Sequence, residues 1–269
     1  MTGKKVRRKK KDRRQRWAAI IAGILAVAMA LSAIAAYASH LLNRGQGETA
    51  PPEQQLDLET YREHSLNEIK RLEQYISEYG PAVGVLGELC RNFRLLIQIE
   101  NAGEQVDEEK VAGYEAALKE YSLDLIELEP DNPEYRLQLL YLYRELGEDD
   151  GSIAAEIASL QELLHEKPAP QMTLGLIEFM EVAEQPQESI AEEITWLEQY
   201  FEELSAGVGL TATERYYYAL LLGEHREEIP AALEQLEIIL KSEPPEEELH
   251  NAAENYQKTL QQREEEQGE

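Results

Sequence analysis

The sequence predicts an all-α protein, in which an N-terminal transmembrane helix is followed by an α-solenoid of antiparallel helix pairs. Three observations support this fold class. One long run near the N-terminus is apolar and carries no charge. Beyond residue 56, apolar residues recur at spacings of three and four, the period of an amphipathic helix. Short Gly-, Pro- and Asn-rich breaks separate these segments, and none of them alternates apolar and polar residues as a strand does.

The first element is a basic tail followed by a membrane anchor. Residues 1–16 hold ten of the 26 Lys and Arg and one of the 53 Asp and Glu. The next 22 residues, 17–38, carry no charge, and about 20 apolar residues span a bilayer as a helix. We therefore expect a transmembrane signal anchor over 17–42. Because positively charged flanks stay on the cytoplasmic side, residues 1–16 are expected in the cytoplasm. The anchor then crosses the plasma membrane once, and the chain after it is exported.

A cleavable signal peptide is the alternative to a retained anchor. The small-x-small triplet Ala36–Ala38 fits a cleavage site after Ala38. The apolar run is longer than the roughly 7–15 residues of a signal peptide, which favours the anchor.

A linker and a stem helix follow the anchor. Residues 43–55, "NRGQGETAPPEQQ", are rich in Gly, Pro and polar side chains and predict a linker. A stem helix is predicted over 56–80, ending at Gly80-Pro81, with an apolar stripe at Leu58, Tyr61, Ser65, Ile69, Leu72, Ile76 and Tyr79. We expect this stripe to pack on the following domain; self-association as a coiled coil is the alternative.

The rest of the chain predicts a helical domain over 81–263 and an acidic tail over 264–269. Its helices are expected at 81–101, 107–129, 132–146, 151–166, 170–184, 187–205, 211–224, 229–242 and 245–263. The breaks between them are short, so neighbouring helices must run antiparallel.

The helix pairs recur along the chain. Three copies start at Pro133, Pro170 and Thr213, and each contains a first helix, a polar break and a second helix. Small residues stand at equivalent offsets in the second helices, at Ser152, Ser189 and Ala232. A recurrence of this length is typical of stacked helical pairs.

These features resemble the tetratricopeptide repeat (TPR) family. The family's small crossing residue falls on Ser152, Ser189 and Ala232, and its closing proline on Pro130 and Pro244. The chain departs from the family in the spacing of its repeat starts and in Leu140, Ile177 and Leu220, which replace the first-helix glycine. The resemblance implies a TPR-like solenoid over residues 81–263.

The sequence contains no recognisable catalytic motif. The sequence has no phosphate-binding GxxxxGK[ST], no HExxH and no GxSxG. Its five histidines are scattered, and the single cysteine, Cys90, lies in an apolar helical run where a buried, inert thiol is expected. We therefore predict no catalytic residue, no metal, no cofactor and no enzymatic activity.

The resemblance implies a partner-binding groove lined by the first helices. The groove-facing offsets of the family fall on Leu137, Tyr141, Arg144, Leu174, Glu178, Glu181, Tyr217, Leu221 and Glu224. Tyrosine suits a binding surface, because it combines contact area with a hydrogen-bonding group. The alternative is that these tyrosines only fill half-buried positions between helices.

Charge restricts the class of partner. The residues after 16 carry 16 Lys and Arg against 52 Asp and Glu, which excludes nucleic acid as an expected ligand. A protein or peptide partner, basic or neutral, fits better, while the basic tail is expected on anionic lipid headgroups. The sequence thus favours a membrane-anchored scaffold in a cell-envelope complex. The alternative is a structural, oligomerising membrane subunit without a peptide-binding groove.

Overall fold

The structure is a computed structural model that describes residues 58–102, 106–242 and 247–268. Across these ranges it contains helices and no strand, which confirms the all-α prediction. The α-helices are α1 (Leu58–Tyr79), α2 (Val83–Ala102), α3 (Glu108–Leu128), α4 (Pro133–Leu146), α5 (Asp150–Glu166), α6 (Pro170–Val182), α7 (Gln187–Ala206), α8 (Ala212–Leu220), α9 (Ile229–Lys241) and α10 (Glu247–Gly268).

The predicted tail (1–16), anchor (17–42) and linker (43–55) lie outside the described residues. None of the helices in the described ranges has the length and apolar character needed to cross a membrane.

One predicted helix changes its type near its C-terminal end. The sequence favours a continuous α-helix over 211–224, whereas α8 ends at Leu220 and a π-helical turn, Leu221–His225, follows. The turn coincides with a close approach of α10, because a Cβ built on Gly223 would lie 2.3 Å from the Tyr256 hydroxyl. Local periodicity contains no information about this distant contact.

Side-chain caps fix several helix starts. Asn132 accepts a hydrogen bond from the Glu134 backbone N–H at the start of α4, and Pro133 occupies the first turn, where its missing N–H costs no hydrogen bond. Thr211 and Glu214 form a reciprocal capping box at the start of α8. The acidic stretch "ELEPDNPEY" at 127–135 is therefore a helix boundary, and its asparagine caps the start of α4.

The helices pack in a solenoid-like way, each against its neighbours in the chain. Three clusters of buried side chains follow one another along the chain: the first spans α1 to α4, the second α4 to the π turn, and the third α8 to α10. Tyr143 of α4 packs against the first two clusters, and Tyr218 of α8 against the last two. The core is therefore continuous through these helices.

The first and the last of the described helices each pack on a neighbouring helix through apolar side chains. α1 packs on α2 through Ser65, Ile69 and Leu72, which confirms that the stem helix docks on the following domain. At the other end, α10 buries Ala253 and Leu260 against α9 and the π turn.

Candidate functional site

The first helices of the three repeats lie side by side, as the repeat pattern predicts. α4 contacts α6, and α6 contacts α8. The Tyr141 ring of α4 packs edge-on against Phe179 of α6, with 5.2 Å between ring centroids. The Tyr217 hydroxyl of α8 donates a hydrogen bond to Gln171 Oε1 of α6 at 3.0 Å. We call the surface formed by α4, α6, α8 and the π turn the first-helix face.

The three predicted leucines pack within the protein. Leu174 and Leu221 belong to the buried core, with exposures of 6% and 0%. Leu137 is half-buried over Gly175, where a Cβ would lie 2.8 Å from Leu137 Cδ2. These residues therefore support the first-helix face from beneath, and the polar predicted residues form its surface.

The polar residues of α4 and α6 come together around Tyr141. Burial, followed by the nearby Glu178 carboxylate, raises the pKa of Tyr141 to about 12, while Arg144 acts in the opposite direction. Arg144 itself is exposed at the edge of α4. Tyr141, Arg144 and Glu178 thus form one group across two helices, although no hydrogen bond joins them.

Glu178 differs from the other carboxylates of this surface. It is half-buried and accepts no hydrogen bond from any residue in the described ranges. Burial raises its pKa, and the neighbouring Glu181 and Glu224 raise it further, against the opposing influence of His225. Part of the side chain remains open to solvent, so a donor from outside the chain can reach this carboxylate.

Glu181 and Glu224 have partners. His225 Nδ1 lies 3.2 Å from Glu181 Oε1. Glu224 Oε1 accepts a hydrogen bond from the Tyr256 hydroxyl at 2.9 Å, and Glu224 Oε2 one from Arg263 at 3.0 Å.

His225, Tyr256 and Arg263 contact the predicted site residues, although the sequence does not indicate them. Tyr256 and Arg263 are seven residues apart on α10, and this spacing puts them on one face of that helix. That spacing alone does not indicate Glu224 as their partner.

The second helices carry a separate group of polar side chains, centred on Glu193. Glu193 of α7 is buried, and it accepts a hydrogen bond from Gln161 of α5 at 2.9 Å. His165 Nε2 lies 3.2 Å from Glu193 Oε1, and its ring stacks on Trp196 with 4.2 Å between centroids. This group joins α5 to α7.

Two further features do not define a site. No group of three or more His, Cys, Asp and Glu could hold a metal ion within the described part of the chain. Cys90 is buried, as predicted, and burial raises the pKa of its thiol.

The comparisons with known proteins found no match: no protein-family model, no curated protein and no solved structure is similar to this chain.

Proposed function

We propose that this protein is a single-pass, membrane-anchored scaffold with a TPR-like solenoid, and that its first-helix face binds a basic segment of a protein partner. The observation that carries the proposal is Glu178, a half-buried carboxylate beside the Tyr141 ring that accepts no hydrogen bond from the residues described by the structure. Titratable groups with perturbed pKa values are concentrated at functional sites. Such groups often reduce the stability of the free protein, a cost that function can offset.

A lysine or arginine side chain of a partner would complete this group. Its N–H groups would supply the donors that Glu178 lacks, and its positive charge would offset the repulsion among Glu178, Glu181 and Glu224. The Tyr141 ring lies next to Glu178 and offers apolar surface to the stem of such a side chain.

The charge of the chain supports the same class of partner. The 52 acids and 16 bases after residue 16 give this part a large negative charge, which attracts basic segments and speeds their association. The predicted anchor, 17–42, and basic tail, 1–16, would hold the solenoid at the outer surface of the plasma membrane. We propose no catalytic or cofactor-dependent activity.

The test measures peptide binding to the full chain in detergent by fluorescence anisotropy. Labelled basic, neutral and acidic peptides of equal length are compared on the wild type, Glu178→Gln and Glu162→Gln. Glu162 is exposed on α5, so the two variants lose the same charge at different surfaces. We expect the basic peptide to bind best, and Glu178→Gln to weaken it about tenfold, in the range for a charged partner left unpaired.

The matched control separates a site from general attraction. If Glu178→Gln and Glu162→Gln weaken the basic peptide equally, binding follows net charge alone and the first-helix face is not the site. A neutral or acidic peptide that binds as tightly as the basic one would contradict the proposed partner class.

A further inference from the structure

The contact between α1 and α2 contains several fully buried polar atoms without a hydrogen bond. Four such side-chain atoms occur in the described ranges, and three of them lie here: Arg62 Nε, Ser65 Oγ and Glu100 Oε1. The great majority of buried polar groups in folded proteins are hydrogen-bonded. Three exceptions in one contact between two helices weaken that contact, because each atom has lost water without gaining a hydrogen bond.

Ser65 lies on the face of α1 that packs against α2. The residue is completely buried, and Ile69 and Leu72 follow one and two turns later on the same face. The Ser65 hydroxyl forms no hydrogen bond with any residue that the structure describes. A buried hydroxyl without a partner lowers stability, whereas an apolar side chain of similar size does not.

The ion pair next to Ser65 does not offset this loss. Arg62 precedes Ser65 by one turn, and its Nε lies 3.1 Å from Glu100 Oε1, but no hydrogen bond joins these two atoms. Glu100 is only 4% exposed, so its carboxylate has lost most of its hydration. A buried ion pair compensates for lost hydration only when its geometry is good and its hydrogen bonds are complete. The pair therefore contributes little to holding α1 on α2.

The opposite contact of α2, with α3, is more extensive and its buried serine is hydrogen-bonded. Ser122 of α3 donates a hydrogen bond to the Leu118 carbonyl oxygen at 2.7 Å, and its Oγ lies 3.8 Å from Cys90 Sγ of α2. Within the described part of the chain, α1 has an extensive contact with α2 alone. Its hydrogen bond from the Tyr121 hydroxyl of α3 reaches Glu73 at an exposed position. Loss of α1 thus leaves the contact between α2 and α3 intact.

We propose that α1 releases from α2 as a unit, while α2 and the helices after it stay folded. Elements that move are drawn from the least stable parts of a fold. α1 has one extensive neighbour, two large buried apolar side chains and three buried polar atoms without hydrogen bonds. Its 22 residues extend over about 33 Å at 1.5 Å per residue. In a chain anchored as proposed above, release would add this length to the reach of the linker and let the solenoid move away from the membrane.

The direct test is maleimide labelling of Ser65→Cys in the full chain in detergent, with each thiol followed by mass spectrometry of its peptide. Native Cys90 is the internal control, because it is also buried but packs against α3. Burial excludes the reagent from both thiols, so each is labelled at a rate set by its own opening. We expect the Ser65→Cys thiol to react at least about tenfold faster than Cys90. Equal rates would overturn the proposal, because α1 would then open only together with α2 and α3.

Hydrogen exchange tests whether the buried hydroxyl weakens the contact. Ser65→Ala removes that hydroxyl and should slow exchange of the α1 amides about tenfold, equivalent to about 1.4 kcal/mol. Ser122→Ala is the matched control, because it also places alanine at a buried helical position but loses a hydrogen bond. It should not slow exchange in α3.

Two results of the exchange measurement would contradict the proposal. One is exchange of α1 that is unchanged or faster in Ser65→Ala, and the other is exchange in the wild type that is as slow in α1 as in α2. Neither test uses a peptide, so release of α1 and peptide binding at Glu178 can each fail alone.

Discussion

Substituting Gly223 by alanine should loosen the C-terminal helix. The added Cβ would lie 2.3 Å from the Tyr256 hydroxyl and 3.1 Å from Leu260 Cδ2. Tyr256 must then move and lose its hydrogen bond to Glu224. Overpacking costs about 1–3 kcal/mol, and a hydrogen bond to a charged group contributes about 1.5–3 kcal/mol, while the helix propensity of alanine returns about 1 kcal/mol. We expect a net loss of about 2 kcal/mol, because movement of Tyr256 relieves part of the overpacking.

Hydrogen exchange of the full chain in detergent measures this loss locally. A cost of about 2 kcal/mol corresponds to roughly 30-fold faster exchange of the amides of α10, with α1 unchanged. Gly113→Ala is the matched control, because Gly113 is helical and exposed, and a Cβ there would meet nothing within 4 Å. That substitution should slow exchange in α3, because alanine favours the helix.

A double-mutant cycle tests the cause of the loss. Tyr256→Phe removes the hydroxyl that collides with the new Cβ, and it also removes the bond to Glu224. The double variant should therefore cost little more than Tyr256→Phe alone, a coupling of about 1–2 kcal/mol. Strict additivity of the two costs, or increased protection of α10 in Gly223→Ala, would refute the reasoning.

Three further predictions concern single residues. Burial raises the pKa of Glu178, so the folded protein favours the protonated carboxyl group. The stabilisation by this group is complete below its unfolded pKa and is lost as the pH rises through its native pKa. Glu178→Gln should therefore raise the unfolding temperature near pH 8 and leave it unchanged near pH 3; a decrease near pH 8 would contradict the assignment. The hydrogen bonds from Ser152 lower the pKa of Asp149, so its contribution is present above the unfolded pKa and is lost as the pH falls through the native pKa. Asp149→Ala should lower the unfolding temperature near pH 7, and the difference should disappear well below pH 4; a difference that persists there would show that the cap does not act through its charge. Cys90 should react with a maleimide near pH 8 at least about 100-fold more slowly than a cysteine placed at Val208, because burial closes access and raises the pKa of the thiol; comparable rates would show that α2 opens readily.

Local signals in the sequence predicted most of the helical architecture. Asn132 and Pro133 specify a helix start through backbone groups within two residues of them, so the α4 boundary could be predicted without knowledge of the rest of the fold. Gly147, in the left-handed conformation, likewise ends the same helix. Helix periodicity also identified the stripe Ser65, Ile69 and Leu72, which α2 covers.

Contacts between distant segments could not be predicted in this way. The π turn coincides with the approach of Tyr256 to Gly223, two residues more than 30 positions apart in the chain. The resemblance to TPR proteins also placed Leu221 in the groove set, whereas the structure buries it completely. An offset within a repeat specifies a helix face only approximately, and whether a side chain on that face is exposed depends on the helices packed beside it.

The other carboxylates of the domain show how Glu178 differs from them. Buried carboxylates that have a structural role are stabilised by donors within the protein. Glu193 has Gln161 and His165 as partners, and Glu224 has two donors from α10. Buried Glu100 forms an ion pair with Arg62, at 3.1 Å from its Nε, but no hydrogen bond joins these two atoms. Glu178 has none among the described residues and lies beside two other acids. His225 is the one group that favours the charged form of Glu178 among those that act on its pKa in the described part of the chain. The proposed basic partner would add a cationic donor at this position.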